Sequence, residues 1–326
     1  SSQYLTTDFD PNTAGRFVSV FRDANYGGFG RAVVGTVSGT TISFGVMTEF
    51  NTGGTNEQTT VAFDPNTAGR FVVAFVNEGD GVTAGVAMVG DINAANTNIQ
   101  FGSKITFDSS VSSPHKIVFD PNTANRIVIL YSDSSSEGSY GKAVVGTVSG
   151  TSISYGTPVA FNAASSHYKS VSFDPNTANK FVVAYRDDAN SSYGTAIVGT
   201  VSGTSISYGS EIVFNSGTTS YIAISSDPNT ANKFVVAYTD GGNSNYGTVI
   251  VGTMSGTSMS FSSEFVMNSA TTAFNSVAFD HSSTNAGKFV VVYRDSGSTG
   301  QARLGQIAAI AQATNLTSTN LIGIAA

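Results

Sequence analysis

Five aspartates stand at equivalent places along the chain: Asp23, Asp133, Asp187, Asp240 and Asp295, each two residues after a Phe or Tyr. Carboxylates in such a series could hold calcium, which takes six to eight oxygen ligands. Asp80, Glu137 and Asp188 lie near enough in sequence to add to the set. No copy shows the alternating acids of an EF-hand loop, and each aspartate also suits an Asx turn, in which the carboxylate caps its own loop. The Asx reading is the simpler one, so neither metal nor cofactor is expected. A second series, Asp10, Asp64, Asp120, Asp174, Asp227 and Asp280, reads as turn formers in the same way.

For catalysis the inventory is thin. The chain has no cysteine and three histidines, His115, His167 and His281. His281 takes the place of a turn proline, while His115 and His167 fall at junctions between repeats. No third ligand or orienting acid sits at a fixed spacing from them, as a zinc site or a catalytic triad needs. The arginines Arg22, Arg186 and Arg294, like Arg16, Arg70 and Arg126, recur with the repeat and read as scaffold. Without tryptophan the chain cannot carry a sialidase Asp-box. A non-enzymatic protein is expected.

Tyrosines beside small polar residues are adaptable contacts and stack on sugar rings. Tyr26, Tyr140, Tyr193 and Tyr246 precede glycines, and Tyr168 and Tyr221 lie between repeats, Tyr168 next to His167. With His115 these are the candidate ligand-binding residues. Tyr140, Tyr193 and Tyr246 have a plainer reading, because residues that recur at one position often pack on a strand edge.

What positions these residues is a repeat. The phrase Phe9-Asp10-Pro11-Asn12-Thr13-Ala14 returns at Phe63, Phe119 and Phe173, and in altered form at Ser226 and Phe279, giving spacings of 54, 56, 54, 53 and 53 residues. Such units with about four strands each are the mark of propeller blades. The fourth copy shows strand A at Ser170–Phe173, a turn at Asp174–Asn179, strand B at Phe181–Tyr185, strand C at Thr195–Val201 and strand D through Ile206 and Phe214. Strand B is nearly unbroken apolar sequence, as burial on both faces requires.

A glycine recurs in strand C, at Gly35, Gly90, Gly146, Gly199, Gly252 and Gly305, where close approach of the adjacent blade is the simplest reason. Gly209 reads as a bulge in strand D. The expected fold is all-β, a six-bladed propeller of four-stranded antiparallel blades over residues 1–310. Its repeats start near 4, 58, 114, 168, 221 and 274. Residues 311–326 are a tail that supplies the last strand of blade six, around Leu321 to Ile324, or links to a further module. The A–B turn (Asp-Pro-Asn-Thr-Ala) and the C–D turn (Ser-Gly-Thr) are nearly constant, whereas B–C and D–A loops differ between copies. One face is therefore uniform and the other diversified, and binding is expected on the diversified loops.

Composition narrows the partners. A net charge of −7 argues against nucleic acid, which needs cations to displace phosphate counterions. No run of 18 apolar residues offers a membrane-spanning helix, and Ser1 to Tyr4 has no signal-peptide character. With 40% hydrophobic and 11% charged residues the chain is not of the disordered class. An unpaired edge at blade six would invite association, so a homo-oligomer is possible.

The text Phe173 to Asp187 resembles repeats in large structural proteins of marine bacteriophages, and Ala313 to Ala325 resembles the junction where such fibre proteins enter a further repetitive module. Bacterial surface adhesins carry similar blades. The resemblance implies a virion appendage, extracellular, that contacts other virion proteins and a host cell-surface glycan or receptor. The alternative it implies is a lectin or adhesin propeller on a bacterial cell surface.

Overall fold

The Asp-Pro-Asn-Thr-Ala phrase folds as a turn anchored by its aspartate. Asp10 Oδ1 accepts from Asn12 N at 2.8 Å, and the same bond recurs from Asn66 to Asp64, Asn122 to Asp120, Asn176 to Asp174 and Asn229 to Asp227. The turn ends in the left-handed region, at Gly15, Gly69, Asn125, Asn179, Asn232 and Gly287 (φ 64–80°), where Gly and Asn are least strained. In the first three copies an arginine closes the turn from behind, with Arg16, Arg70 and Arg126 Nε donating to Asp10, Asp64 and Asp120 at 2.8–2.9 Å. Copies four and five carry Lys180 and Lys233 instead, which donate to Thr200 and Thr253. The aspartate also binds the following repeat: Gly69 N donates to Asp10 Oδ2, and Asn232 N to Asp174 Oδ2.

The computed structural model describes residues 2–52, 56–78, 83–93, 95, 97–133, 139–307 and 316–323. The side chains of 56, 57, 111–115 and 316–323 fall outside that description. Each repeat forms an antiparallel unit of four strands, A to D in chain order. Strands B are Arg16–Asp23, Arg70–Asn77, Arg126–Asp133, Lys180–Asp187, Lys233–Asp240 and Lys288–Arg294. Strands C are Phe29–Ser38, Ala84–Ile92, Tyr140–Ser149, Tyr193–Ser202, Tyr246–Ser255 and Gly300–Ile307. Leu316–Gly323 pairs with Gly300–Ile307 as the fourth strand of the last repeat. Strands A begin earlier than the sequence reading placed them. In the fourth and fifth repeats there is no D–A loop at all, because Val159–Phe173 and Ile212–Ser226 run unbroken from D of one repeat into A of the next. The described helix is three single turns: Ala24–Tyr26, Gly241–Asn243 and Ser283–Asn285.

The chain divides into two compact units, residues 1–163 with 203–206, and residues 164–202 with 207–326. In the second, strand B of repeat five shows how the core is built. Phe234, Val236 and Tyr238 enter a cluster with Val182, Ala184 and Phe214 of repeat four. The alternate residues Val235 and Ala237 enter another with Phe289, Val291 and Tyr293 of repeat six. Strand alternation thus sends one apolar run into two cores, which is why the run is unbroken. The first unit repeats the scheme, with Phe71, Val73 and Phe75 packed toward repeat one and Val72, Ala74 and Val76 toward repeat three.

The strand-C glycines have a different cause from the one expected. Gly35, Gly90, Gly146, Gly199, Gly252 and Gly305 lie opposite Phe17, Phe71, Ile127, Phe181, Phe234 and Phe289 of their own repeat's strand B. A Cβ on any of them would meet that side chain at 2.0–2.7 Å. The crowding is cross-strand, within one repeat. Close approach of the neighbouring repeat occurs instead in strand D, where a Cβ on Gly45, Gly102, Gly156 or Gly209 would lie 1.7–2.5 Å from the carbonyl oxygen of Thr97, Thr151, Thr204 or Thr257 in the next C–D turn. Gly209 is thus required by a neighbour as well as by the break in its strand.

Candidate functional site

Five of the strands A share one irregularity. Their register with strand B shifts between Gln3 and Thr6, Glu57 and Thr60, His167 and Ser170, Ser220 and Ala223, and Ala273 and Ser276. In each of these bulges one residue has positive φ: Tyr4 (52°), Gln58 (52°), Tyr168 (51°), Tyr221 (49°) and Phe274 (56°). This region disfavours side chains with a Cβ, so the bulge belongs to the architecture rather than to residue preference. Nor does the bulge demand a ring, since Gln58 occupies it in repeat two.

In the second unit the bulge residues are nevertheless aromatic in three successive repeats, and they stack. Tyr168 and Tyr221 have ring centroids 5.1 Å apart with planes at 50°, and Tyr221 and Phe274 are 4.9 Å apart at 52°. Tyr168 and Tyr221 are half-buried, whereas Phe274 is 61% exposed. Both ends of this ladder carry an arginine from strand B of the same repeat. Arg186 Cζ stands 5.1 Å from the Tyr168 centroid and Arg294 Cζ 4.7 Å from that of Phe274, within cation–π range.

Around Tyr168 the polar groups are tied together. Arg186 Nε donates to Asp188 Oδ1 at 2.7 Å, Ser165 Oγ to Asp188 Oδ2 at 3.1 Å, and His167 Nδ1 lies 2.6 Å from the same Oδ2. Burial pushes the Asp188 carboxyl up, but the bond and charge of Arg186, with His167, hold it below the usual carboxylate range. Lys169 is buried and donates to the Ser166 carbonyl. Burial pushes its amine down to about 7 against the opposing pull of Asp188.

The structure brings together three of the expected residues: Tyr168 and Tyr221 in the ladder, with His167 bound to Asp188 beside it. Tyr26 belongs to the first unit, where it is exposed and Arg31 Cζ stands 4.3 Å from its ring centroid. Tyr140, Tyr193 and Tyr246 open strands C, half-buried and paired with Asp133, Asp187 and Asp240, the arrangement their plainer reading describes. The side chain of His115 lies outside the described residues, as do Asp80 and Glu137.

Of the B-strand aspartates, Asp23, Asp187, Asp240 and Asp295 each accept a backbone N–H two residues on, the Asx turn. Among the described residues no three acidic or histidine groups converge as a metal site. Arg186, Arg294 and Phe274 are residues of this cluster that the sequence reading missed. Recurrence made the arginines look structural. The signal was available in the pairing: the repeats with Arg at this place (Arg22, Arg186, Arg294) also have an aromatic residue at the bulge (Tyr4, Tyr168, Phe274).

No protein-family model and no curated protein sequence matches the chain. Solved structures do. The BP39L lectin from Burkholderia pseudomallei is 10% identical, with 99% of each chain covered and a TM-score of 0.60. The fold is a β-propeller. The α-L-arabinofuranosidase Arb93A from Fusarium graminearum is 11% identical over 95% of this propeller and 94% of that chain, with a TM-score of 0.56. Sqt1 from Chaetomium thermophilum, bound to the N-terminus of the ribosomal protein L10, is 11% identical over 93% of this chain and 71% of that one, with a TM-score of 0.58. Likeness at this identity shows the fold alone, since one fold hosts unrelated functions.

Proposed function

We propose that this propeller is a non-enzymatic glycan-binding protein that uses the Tyr168–Tyr221–Phe274 ladder as its sugar platform. One observation carries the reading: three successive bulges, at a place whose backbone accepts Gln58 equally, bear stacked aromatic rings. Aromatic faces and small polar neighbours are the chemistry that holds sugar rings. The lectin among the similar structures supports binding on this fold.

Glycoside hydrolysis uses a pair of carboxyls, one as acid and one as base or nucleophile, whereas four acids of the second unit are engaged by their own neighbours. Asp188 is held in an ion pair, Asp295 by four hydrogen bonds from its own loop and from Gln301, and Glu211 and Glu264 accept from Tyr185 and Tyr238.

With the resemblance of the repeats to phage fibre proteins, the biological setting we propose is a virion appendage whose propeller meets a host-surface glycan. A bacterial surface lectin is the second reading, favoured by the likeness to BP39L. The test is a glycan array on the native protein and on Tyr221→Ala and Phe274→Ala, with Asn122→Ala and Ser202→Ala as controls in constant turns. Bound sugars would be recovered and checked for cleavage. Binding lost in the ladder variants alone, with intact sugars recovered, is the expected result. Binding lost only in the controls, or cleaved sugar, overturns it.

A further inference from the structure

Repeats four and six carry the same arginine over the same aromatic position, but only one arginine has a carboxylate. The register makes the comparison residue by residue: His167 lies opposite Arg186, and Ala273 lies opposite Arg294. In repeat four, the Asp188 carboxylate sits where Arg186, His167 and Ser165 converge on it. The matching residues of repeat six are Arg294, Ala273 and Thr271, and Ser296 stands where Asp188 stands. The carboxylate is gone, and so is the bulk of the histidine.

What remains there is a recess of about 250 Å³, lined by Thr271, Thr272, Ala273, Arg294, Asp295, Ser296 and Ser298. Among the described residues Arg294 has no carboxylate partner, and its guanidinium lies against Phe274. The volume is below the roughly 300–1,000 Å³ of pockets for drug-sized ligands, so it suits one ring or one charged group. Asp295 does not fill the role of Asp188. Its Oδ1 accepts from Gly297 N, Thr299 N and Thr299 Oγ1, and its Oδ2 from Gln301 Nε2. Its counterpart Asp187 caps its own loop in the same way, through Ala189 N, directly beside the Asp188 carboxylate. Repeat four therefore shows that this loop aspartate and a second carboxylate coexist.

We propose that the recess of repeat six binds the carboxylate of an acidic sugar, which takes the place that Asp188 fills in repeat four. Arg294 supplies the charge, Thr271 and Ser296 offer hydroxyl donors, and the exposed Phe274 receives the sugar ring. The identity of the ligand as a sugar rests on the ladder reading above. The carboxylate seat rests on the repeat comparison alone.

The experiment is amide NMR on the native protein, Arg294→Gln and Ser296→Asp, titrated with glucuronate, methyl glucoside and acetate. Ser296→Asp installs the internal carboxylate of repeat four, a change this fold already accommodates, and melting temperatures confirm folding. In the native protein, glucuronate is expected to shift the Ala273, Ser296 and Gly297 amides and to bind about tenfold or more tightly than methyl glucoside, the worth of one charge-assisted bond. Either substitution should abolish that preference. Equal binding of glucuronate and methyl glucoside, or a preference that survives Ser296→Asp, overturns the proposal. If neither sugar binds but acetate shifts the same amides and Ser296→Asp abolishes the shift, the seat stands and the sugar reading fails. If acetate leaves them unmoved as well, the seat fails too.

Discussion

Phe181 faces Gly199 across the B–C strand pair, and its ring fills the space where any side chain on Gly199 would stand: a Cβ there would meet Phe181 Cζ at 2.1 Å. The arrangement covers a bare stretch of backbone with a large apolar ring, and it recurs in five of the six repeats, with Ile127 in the remaining one. Replacing Gly199 with Val is expected to destabilise by about 1–3 kcal/mol through overpacking. Coupling this change with Phe181→Leu should recover part of the loss, as a double-mutant cycle in denaturant would measure. An additive cycle would show that the ring is not what excludes the side chain.

The strand-D glycine offers a paired test. Gly209 is required where the Thr257 carbonyl of the next repeat presses in, but repeat six has no Ser-Gly-Thr turn, and at the corresponding place repeat five carries Ser262. Gly209→Ala should therefore cost about 1–3 kcal/mol, while Ser262→Ala, where no turn presses in, should cost about 1 kcal/mol, the worth of the bond that Ser262 Oγ accepts from Val251 N. Equal effects in thermal unfolding would remove the neighbouring turn as the cause.

Tyr221 is the middle ring of the ladder and has partners on both sides. Tyr221→Ala is expected to lose about 1–3 kcal/mol, two aromatic pairs at about 0.5–1.5 kcal/mol each, together with glycan binding. Tyr221→Phe should preserve stability and the stacking. Tyr221→Gly removes the ring but suits the backbone φ of 49°, so it should be more stable than the alanine variant while binding equally poorly.

Lys169 makes stability depend on pH in a defined direction. Its amine is pushed down to about 7 in the folded protein and returns to its ordinary value of 10.5 on unfolding. Between those values the unfolded chain binds more protons, so stability rises with pH across this window. Below about 7 the full cost of the buried charge is present, and it is relieved as pH climbs toward 10.5. Lys169→Met should be stabilised relative to the native protein most at low pH, with the difference shrinking from pH 7 to 10.5 in urea titrations. A constant difference would place the Lys169 amine in water.

Much of the architecture was legible because it is written as repetition. The Asp-Pro-Asn-Thr-Ala turn states a local requirement that residues adjacent in sequence satisfy, while the apolar strand B and the strand-C glycines mark their strands by returning in every copy. The Asx role of Asp23, Asp187, Asp240 and Asp295 was legible for the same reason, since donor and acceptor lie two residues apart. The strand-A bulge was not. Tyr168 and Tyr221 looked like loop residues, because nothing in a sequence marks a register shift inside a strand of 15 residues.

By itself, then, the sequence determined the all-β class, the repeat and its turns, for these depend on short-range backbone preferences and on a period that any copy displays. Only the tertiary structure decided which partner each recurring feature answers to. Gly199 answers to a ring of its own repeat and Gly209 to the carbonyl of the next, although both read simply as glycine in a strand. It also decided that Tyr168, Tyr221 and Phe274, 53 residues apart from one to the next, form one surface. That contact comes from stacking successive repeats, so it depends on distances between strands far apart in sequence, which no local preference encodes.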